Sequence, residues 1–161
     1  MAGDPIVLVR QQLVDQLAPL MPQITDGIGQ VPVNYAWPGQ AQEREHVWTE
    51  DGDSPVSVPT MRAGRKRREV QGRCRVVVEV VMVGRQLDAA GASVLQLACD
   101  QRREEIATVI TDWLADDPLL GFGDRTVDWA EVSLIQRSGG PTENGAGSRA
   151  VIEITYQARL L

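Results

Sequence analysis

Val76-Val77-Val78-Glu79-Val80-Val81-Met82-Val83 is the stretch that decides the fold. Every position but Glu79 is apolar, and most are valine. Branching at Cβ stiffens χ1 and suits a pleated backbone better than a helix. A strand that is apolar at both odd and even positions has core on both of its faces. Glu69 to Val83 is therefore read as the central strand of a sheet, with Gly84 marking its end.

Downstream, Ala92 to Asp116 carries Leu95, Cys99, Arg102, Ile106, Val109, Ile110 and Trp113 at helical spacing. Ser93 is a candidate cap, and Asp116-Asp117-Pro118 stops the helix because proline cannot continue its hydrogen-bond ladder. Two alternating segments follow. Arg125 to Arg137 puts Val127, Trp129 and Glu131 on one face and Val132, Leu134 and Gln136 on the other. Arg149 to Leu161 separates Val151, Glu153 and Thr155 from Ile152, Ile154 and Tyr156. They predict a hairpin whose loop, Ser138 to Ser148, is polar and rich in glycine. That loop exceeds the two to five residues usual for a hairpin, so it is either a harmless insertion or a binding loop.

Upstream, Asp4-Pro5 opens an amphipathic helix over about residues 5–18, with Ile6, Val9, Leu13, Leu17 and Leu20 recurring as its apolar stripe. Arg10, Gln11, Gln12, Asp15 and Gln16 fill the other face. A turn at Thr25 to Gly29 leads into a strand, Val31 to Trp37, which Pro32 places at a sheet edge and Pro38-Gly39 ends. Residues 40–70 are the least regular. Glu45 to Thr49 and Val56 to Met61 would form an extended hairpin arm with little core of its own. Hairpin links favour antiparallel pairing. The whole reads as one α+β domain over residues 1–161, a mostly antiparallel sheet with two helices on one face.

Composition narrows the function. The 161 residues carry a formal net charge of -6, which argues against a general nucleic-acid binder. Phe122 is the only phenylalanine and Lys66 the only lysine, so the core is aliphatic and the basic residues are arginines. Cys74 and Cys99 lie in apolar runs and read as reduced core residues. The start of the chain lacks a signal-peptide pattern, and no apolar run approaches the ~20 residues of a membrane span. A cytoplasm, or a particle assembled in one, is the expected home.

Chemistry is hard to find. His46 is the only histidine and sits among charges, where a surface or interface role is expected. No G-x-S-x-G elbow, no close Cys/His pairs and no phosphate-cradling glycine turn before a helix occur in the sequence. No catalytic residue, metal or cofactor is expected. The candidates for contact with another subunit or partner are Trp37 and Trp48, the acidic Glu43 and Glu45, the basic Arg65, Arg67 and Arg68, and Glu143 and Asn144 in the hairpin loop. Tryptophan is enriched at interface hot spots, and opposite charges steer and register an encounter. The alternatives are that the tryptophans cover a sheet edge and that the arginine run is a solvated loop.

Val33-Asn34-Tyr35-Ala36-Trp37-Pro38-Gly39, followed by Glu43-Arg44-Glu45-His46-Val47-Trp48, resembles tail terminator (tail completion) proteins of long-tailed phages infecting actinobacteria. Those chains are similar in length and open with an amphipathic helix. A strand then ends in an aromatic-Pro-Gly turn, and a Glu-rich stretch reaches a Val-Trp pair. A later helix ends in Asp-Pro, as at Asp117-Pro118, before a terminal hairpin. The resemblance implies an α+β subunit of a hexameric ring that caps the head-proximal end of the tail tube, ends its growth and offers a surface to the head connector. Its partners would be copies of itself, the tail tube protein and the connector or stopper. Genome DNA would pass through the lumen without specific binding. The protein would sit at the head–tail junction of the virion after assembly in the host cytoplasm. Rival readings are another neck or stopper protein, a tube subunit, a small binding or enzymatic domain, and a bacterial module with no phage role.

Overall fold

The computed structural model describes residues 5–25, 27–39, 44–52, 68–84, 88–123 and 126–160. Helix α1 (Pro5–Leu17) runs into a 3-10 turn, Ala18–Leu20. Strands β1 (Val33–Asn34), β2 (Glu45–Asp51) and β3 (Arg68–Val83) follow, then helix α2 (Ala89–Asp116) and strands β4 (Val127–Thr142) and β5 (Gly145–Leu160). The sheet order is β1-β2-β3-β5-β4, antiparallel throughout except for the short parallel pair β1–β2. The class is α+β.

The valine run lies where its composition demands. β3 is the middle strand, with Val76, Val78 and Val80 buried towards the helices and Val77 buried on the opposite face. On the helix side these join Ile152, Ile154 and Tyr156 of β5, and the aliphatic stripes Val9-Leu13-Leu17 of α1 and Cys99-Ile106-Ile110-Leu114 of α2. Both cysteines are free and buried.

Five expectations need correction. The strand foreseen over Val31 to Trp37 is only Val33–Asn34. Pro32 has no N–H to give, and the Tyr35 carbonyl is taken by side chains (below). Glu45 to Thr49 is not half of an unsupported arm. It belongs to β2, with Val47, Trp48 and Thr49 fully buried and seven residues in register with β3. Its foreseen partner, Val56 to Met61, lies outside the described residues.

The long loop foreseen at Ser138 to Ser148 is also strand. Pairing continues to Thr142 opposite Gly145, leaving Glu143 and Asn144 as a two-residue turn. Glycine here serves close packing. A Cβ on Gly145 would overlap the Met82 carbonyl oxygen of β3, whose strand runs alongside to the hairpin's tip. The clean alternation expected from Val127 breaks because register shifts fall between Val127 and Trp129 and between Val132 and Leu134. Val127, Ala130, Val132 and Ile135 then all pack on the core. Finally, α2 starts three residues early. Asp88, not Ser93, caps it by accepting from the Gly91 N–H at 2.7 Å.

Candidate interaction surfaces

α1 was read as having a polar flank, but its Arg10 is buried and organises the loop after β1. Its Nε donates to Thr49 Oγ1 at 3.0 Å, and one terminal nitrogen donates to the carbonyls of Tyr35 (2.7 Å) and Thr49 (3.0 Å). The other terminal nitrogen bonds Asp51 at 2.8 Å. Thr49 Oγ1 donates to the same Tyr35 carbonyl at 2.7 Å, and the guanidinium lies 3.9 Å from the Tyr35 ring centroid. Four residues beyond Tyr35, Gly39 turns the chain with a positive φ of 75°. Between the two, Trp37 stands 61% exposed. The loop is held at its base and offers an indole to solvent.

Trp48 and Glu45 have internal roles. Trp48 is completely buried, its Nε1 donating to Glu50 at 2.9 Å. Glu45 accepts a forked pair of bonds from Arg102, both 2.9 Å, and a bond from Thr25 Oγ1 at 2.6 Å. Arg102 also donates to the Gln23 carbonyl at 2.6 Å, so it ties α2 to β2 and to the chain before β1. His46 is buried rather than on the surface, with Nε2 3.2 Å from Glu79 Oε1. That hydrogen bond holds the Glu79 carboxyl below the ordinary carboxylate range. Glu143 and Asn144 are exposed at the hairpin tip, where the Asn144 carbonyl accepts from Gly84 N at 2.8 Å. Glu43, Arg65 and Arg67 lie outside the described residues. Arg68 opens β3 opposite Leu160. The structure thus separates the expected interface residues: Trp37, Glu143 and Asn144 are at the surface, while Glu45 and Trp48 are inside.

Other surface features escaped the sequence reading. Ile28, between two glycines of the turn before β1, is fully exposed. The backbone around it is pinned by Ile24 N to Gly29 O (3.0 Å) and by the Gln30 side chain, which donates to the carbonyls of Pro19 and Met21 at 3.1 Å each. An aliphatic residue inside a glycine turn was the available signal. Beside it, a groove of about 540 Å³ runs between Ile24, Val81, Val83 and Leu95, with Arg44 on its wall. On α2, Val94 and Leu97 are exposed although the helix is apolar enough there to suggest burial. A second cleft, about 560 Å³, opens between the end of α2 (Leu114, Ala115), Pro118 and the start of β4 (Trp129, Val132, Ile135), with Glu131 on its rim.

Among the described residues, no group of three or more His, Cys, Asp or Glu side chains gathers to hold a metal, and no helix is long and apolar enough to cross a membrane. The fold is a two-layer α+β domain with both described helices on one sheet face. No family model and no curated protein matches the chain.

Proposed function

We propose that this chain is a virion structural protein of a long-tailed phage, a tail terminator that caps the head-proximal end of the tail tube as a hexameric ring. The reading rests on the resemblance, and the observation that carries it is the state of Trp37-Pro38-Gly39. This turn is one of the motifs that carry the resemblance, beside the element order and the arginine-rich composition, and its indole is presented on a rigid base rather than packed away. A large exposed aromatic on a preorganised loop is the form an interface anchor takes, since little ordering entropy remains to be lost on binding. A sheet with its helices on one side agrees with the fold the resemblance implies. The proposed work is assembly: subunits close a ring, one face meets the tube, the other meets the connector, and DNA passes the lumen without specific contacts. None of this requires a reacting group or cofactor.

Immunogold electron microscopy of purified particles tests it. Label confined to the head–tail junction, with tails of runaway length when the gene is deleted, is the expected result. Junction label with tails of normal length would assign the chain to the stopper or another neck component instead. Label along the whole tail would make it a tube subunit. Absence from particles by mass spectrometry would end the structural reading.

A further inference from the structure

We infer that Ile28 of one copy docks into the Leu114–Ile135 cleft of the next copy, a head-to-tail contact between copies of this chain. The inference rests on the proposed ring only for its closure; the contact itself stands on the surface of the subunit.

Knob and cleft are both apolar and both unfilled. Ile28 has its entire side chain in solvent. Its loop is fixed by the Ile24–Gly29 bond and the two Gln30 bonds, so the side chain is aimed before any partner arrives. The cleft is walled by Leu114, Ala115, Trp129, Val132 and Ile135, and has room for more than one aliphatic side chain. Burying an isoleucine there removes apolar area from water on both sides of the contact.

Charge fits the same pairing. Arg44 is exposed on the wall of the groove next to Ile28, and Glu131 is exposed on the rim of the cleft. Neither makes an ion pair with a described residue. Seating the knob brings the Arg44 cation towards the Glu131 carboxylate, which selects this pairing over knob to knob.

Position makes the contact heterologous. The Ile28 groove lies at the β2 side of the sheet, by the end of β3 at Val81–Val83. The cleft lies at the β4 side, where Ala130 aligns with Tyr156 and so with Gly72 near the start of β3. The two features therefore occupy opposite corners of the subunit. A patch that fits a different patch on its copy leaves one of each free after every addition, so subunits add in a ring or an open chain and never stop at a two-fold dimer.

Two variants test this in the full chain by sedimentation velocity. Ile28→Asp removes the knob, and Ala115→Arg blocks the cleft; both residues are exposed, so thermal melting should match the native chain. The native chain should self-associate at high micromolar concentration, and each variant alone should do so roughly tenfold or more weakly. Mixed one to one, the variants should form a heterodimer and nothing larger, because only one competent knob meets one competent cleft. Association of Ile28→Asp as strong as the native chain's, a mixture that stays monomeric, or a native chain that is monomeric throughout would each overturn the contact. Those failures leave the virion reading standing, since it is judged by labelling of particles. Conversely, self-association by this contact in a protein absent from particles would keep the contact and remove the virion reading.

Discussion

At the scale of single residues, Arg10 shows how a polar-looking position becomes the keystone of a loop. Its spacing places it one residue after Val9, on the edge of the apolar stripe, where helical periodicity alone cannot say whether a long side chain reaches out or back. The bond to Asp51 adds little, because that carboxylate's side chain is 69% exposed. The bond to the Thr49 carbonyl matters more, since it is buried and removing the donor takes a partner from an interior acceptor, whereas the part-buried Tyr35 carbonyl keeps its bond from Thr49 Oγ1. Arg10→Ala should lower unfolding free energy in urea by about 3 kcal/mol. Arg10→Lys should recover only part of this, because a single ammonium cannot also supply the separate donors to Thr49 Oγ1 and Asp51 or the flat group that lies over the Tyr35 ring. A loss under ~1 kcal/mol for Arg10→Ala would show that the loop holds itself. Cys74 permits a prediction with pH. Burial pushes its thiol from 9.0 up to about 12. The folded state keeps the proton that the unfolded chain releases above pH 9, so the contribution is fully present below that value and is lost as pH rises towards 12. In native protein at pH 8.5 the Cys74 thiol should resist iodoacetamide, and it should react promptly in denaturant. Equal labelling rates in both conditions would contradict its place in the core.

At the scale of elements, what could be read depended on whether one side chain pattern had one meaning. The valine run of β3 and the stripe of α1 were legible because burial on a regular element leaves a period. The hairpin's far end was not, because Gly139, Gly140, Gly145 and Gly147 signal a loop and a crowded strand equally well. Strands of sixteen residues, roughly 50 Å long at about 3.3 Å per residue, were thus read as a shorter hairpin with a loop. Gly145→Ala separates the two meanings. In a loop it would be harmless; here its Cβ meets the Met82 carbonyl, and about 2 kcal/mol of stability should be lost. Hydrogen exchange should then be faster at Gly84, whose N–H bonds the Asn144 carbonyl at the hairpin tip. α2 holds this hairpin through polar contacts: Gln96 to the Gly147 carbonyl at 3.0 Å, Ser148 to Asp100 at 2.6 Å, and Arg137 to Glu104. The bond from Ser148 lowers the Asp100 carboxyl below its usual value, and Arg137 does the same for Glu104. Both therefore favour the folded state above the ordinary carboxylate range and lose that effect as pH falls through their lowered values. Stability should decline below about pH 4, and Asp100→Asn should flatten that decline. An unchanged slope in the variant would place the acid sensitivity elsewhere.

At the scale of the whole molecule, the sequence separated class from surface. One helix-covered sheet face follows from where the apolar residues fall, and it was readable. The surfaces were not, because an exposed and a buried tryptophan look alike in one dimension. Trp37 and Trp48 were paired as interface candidates for their proximity to one turn, yet the fold sends one outward and the other into the sheet. What decides is the company each keeps. Trp48 lies mid-strand opposite Val77, with Val47 and Thr49 buried beside it, whereas Trp37 follows a backbone already pinned by Arg10 and has no strand to join. Alanine at the two positions should then give opposite results. Trp48→Ala empties a buried site and should cost about 3–5 kcal/mol, seen as a large drop in urea midpoint. Trp37→Ala should leave unfolding within about 0.5 kcal/mol of native. If the chain caps a tail tube, the same substitution should weaken its attachment to particles roughly tenfold, the loss expected of an interface anchor. Native stability together with native attachment would make the exposed indole incidental and move the anchor of the assembly to another surface. Lost stability would mean that the Trp37 turn supports the fold, and the contrast between the two tryptophans would then be one of degree.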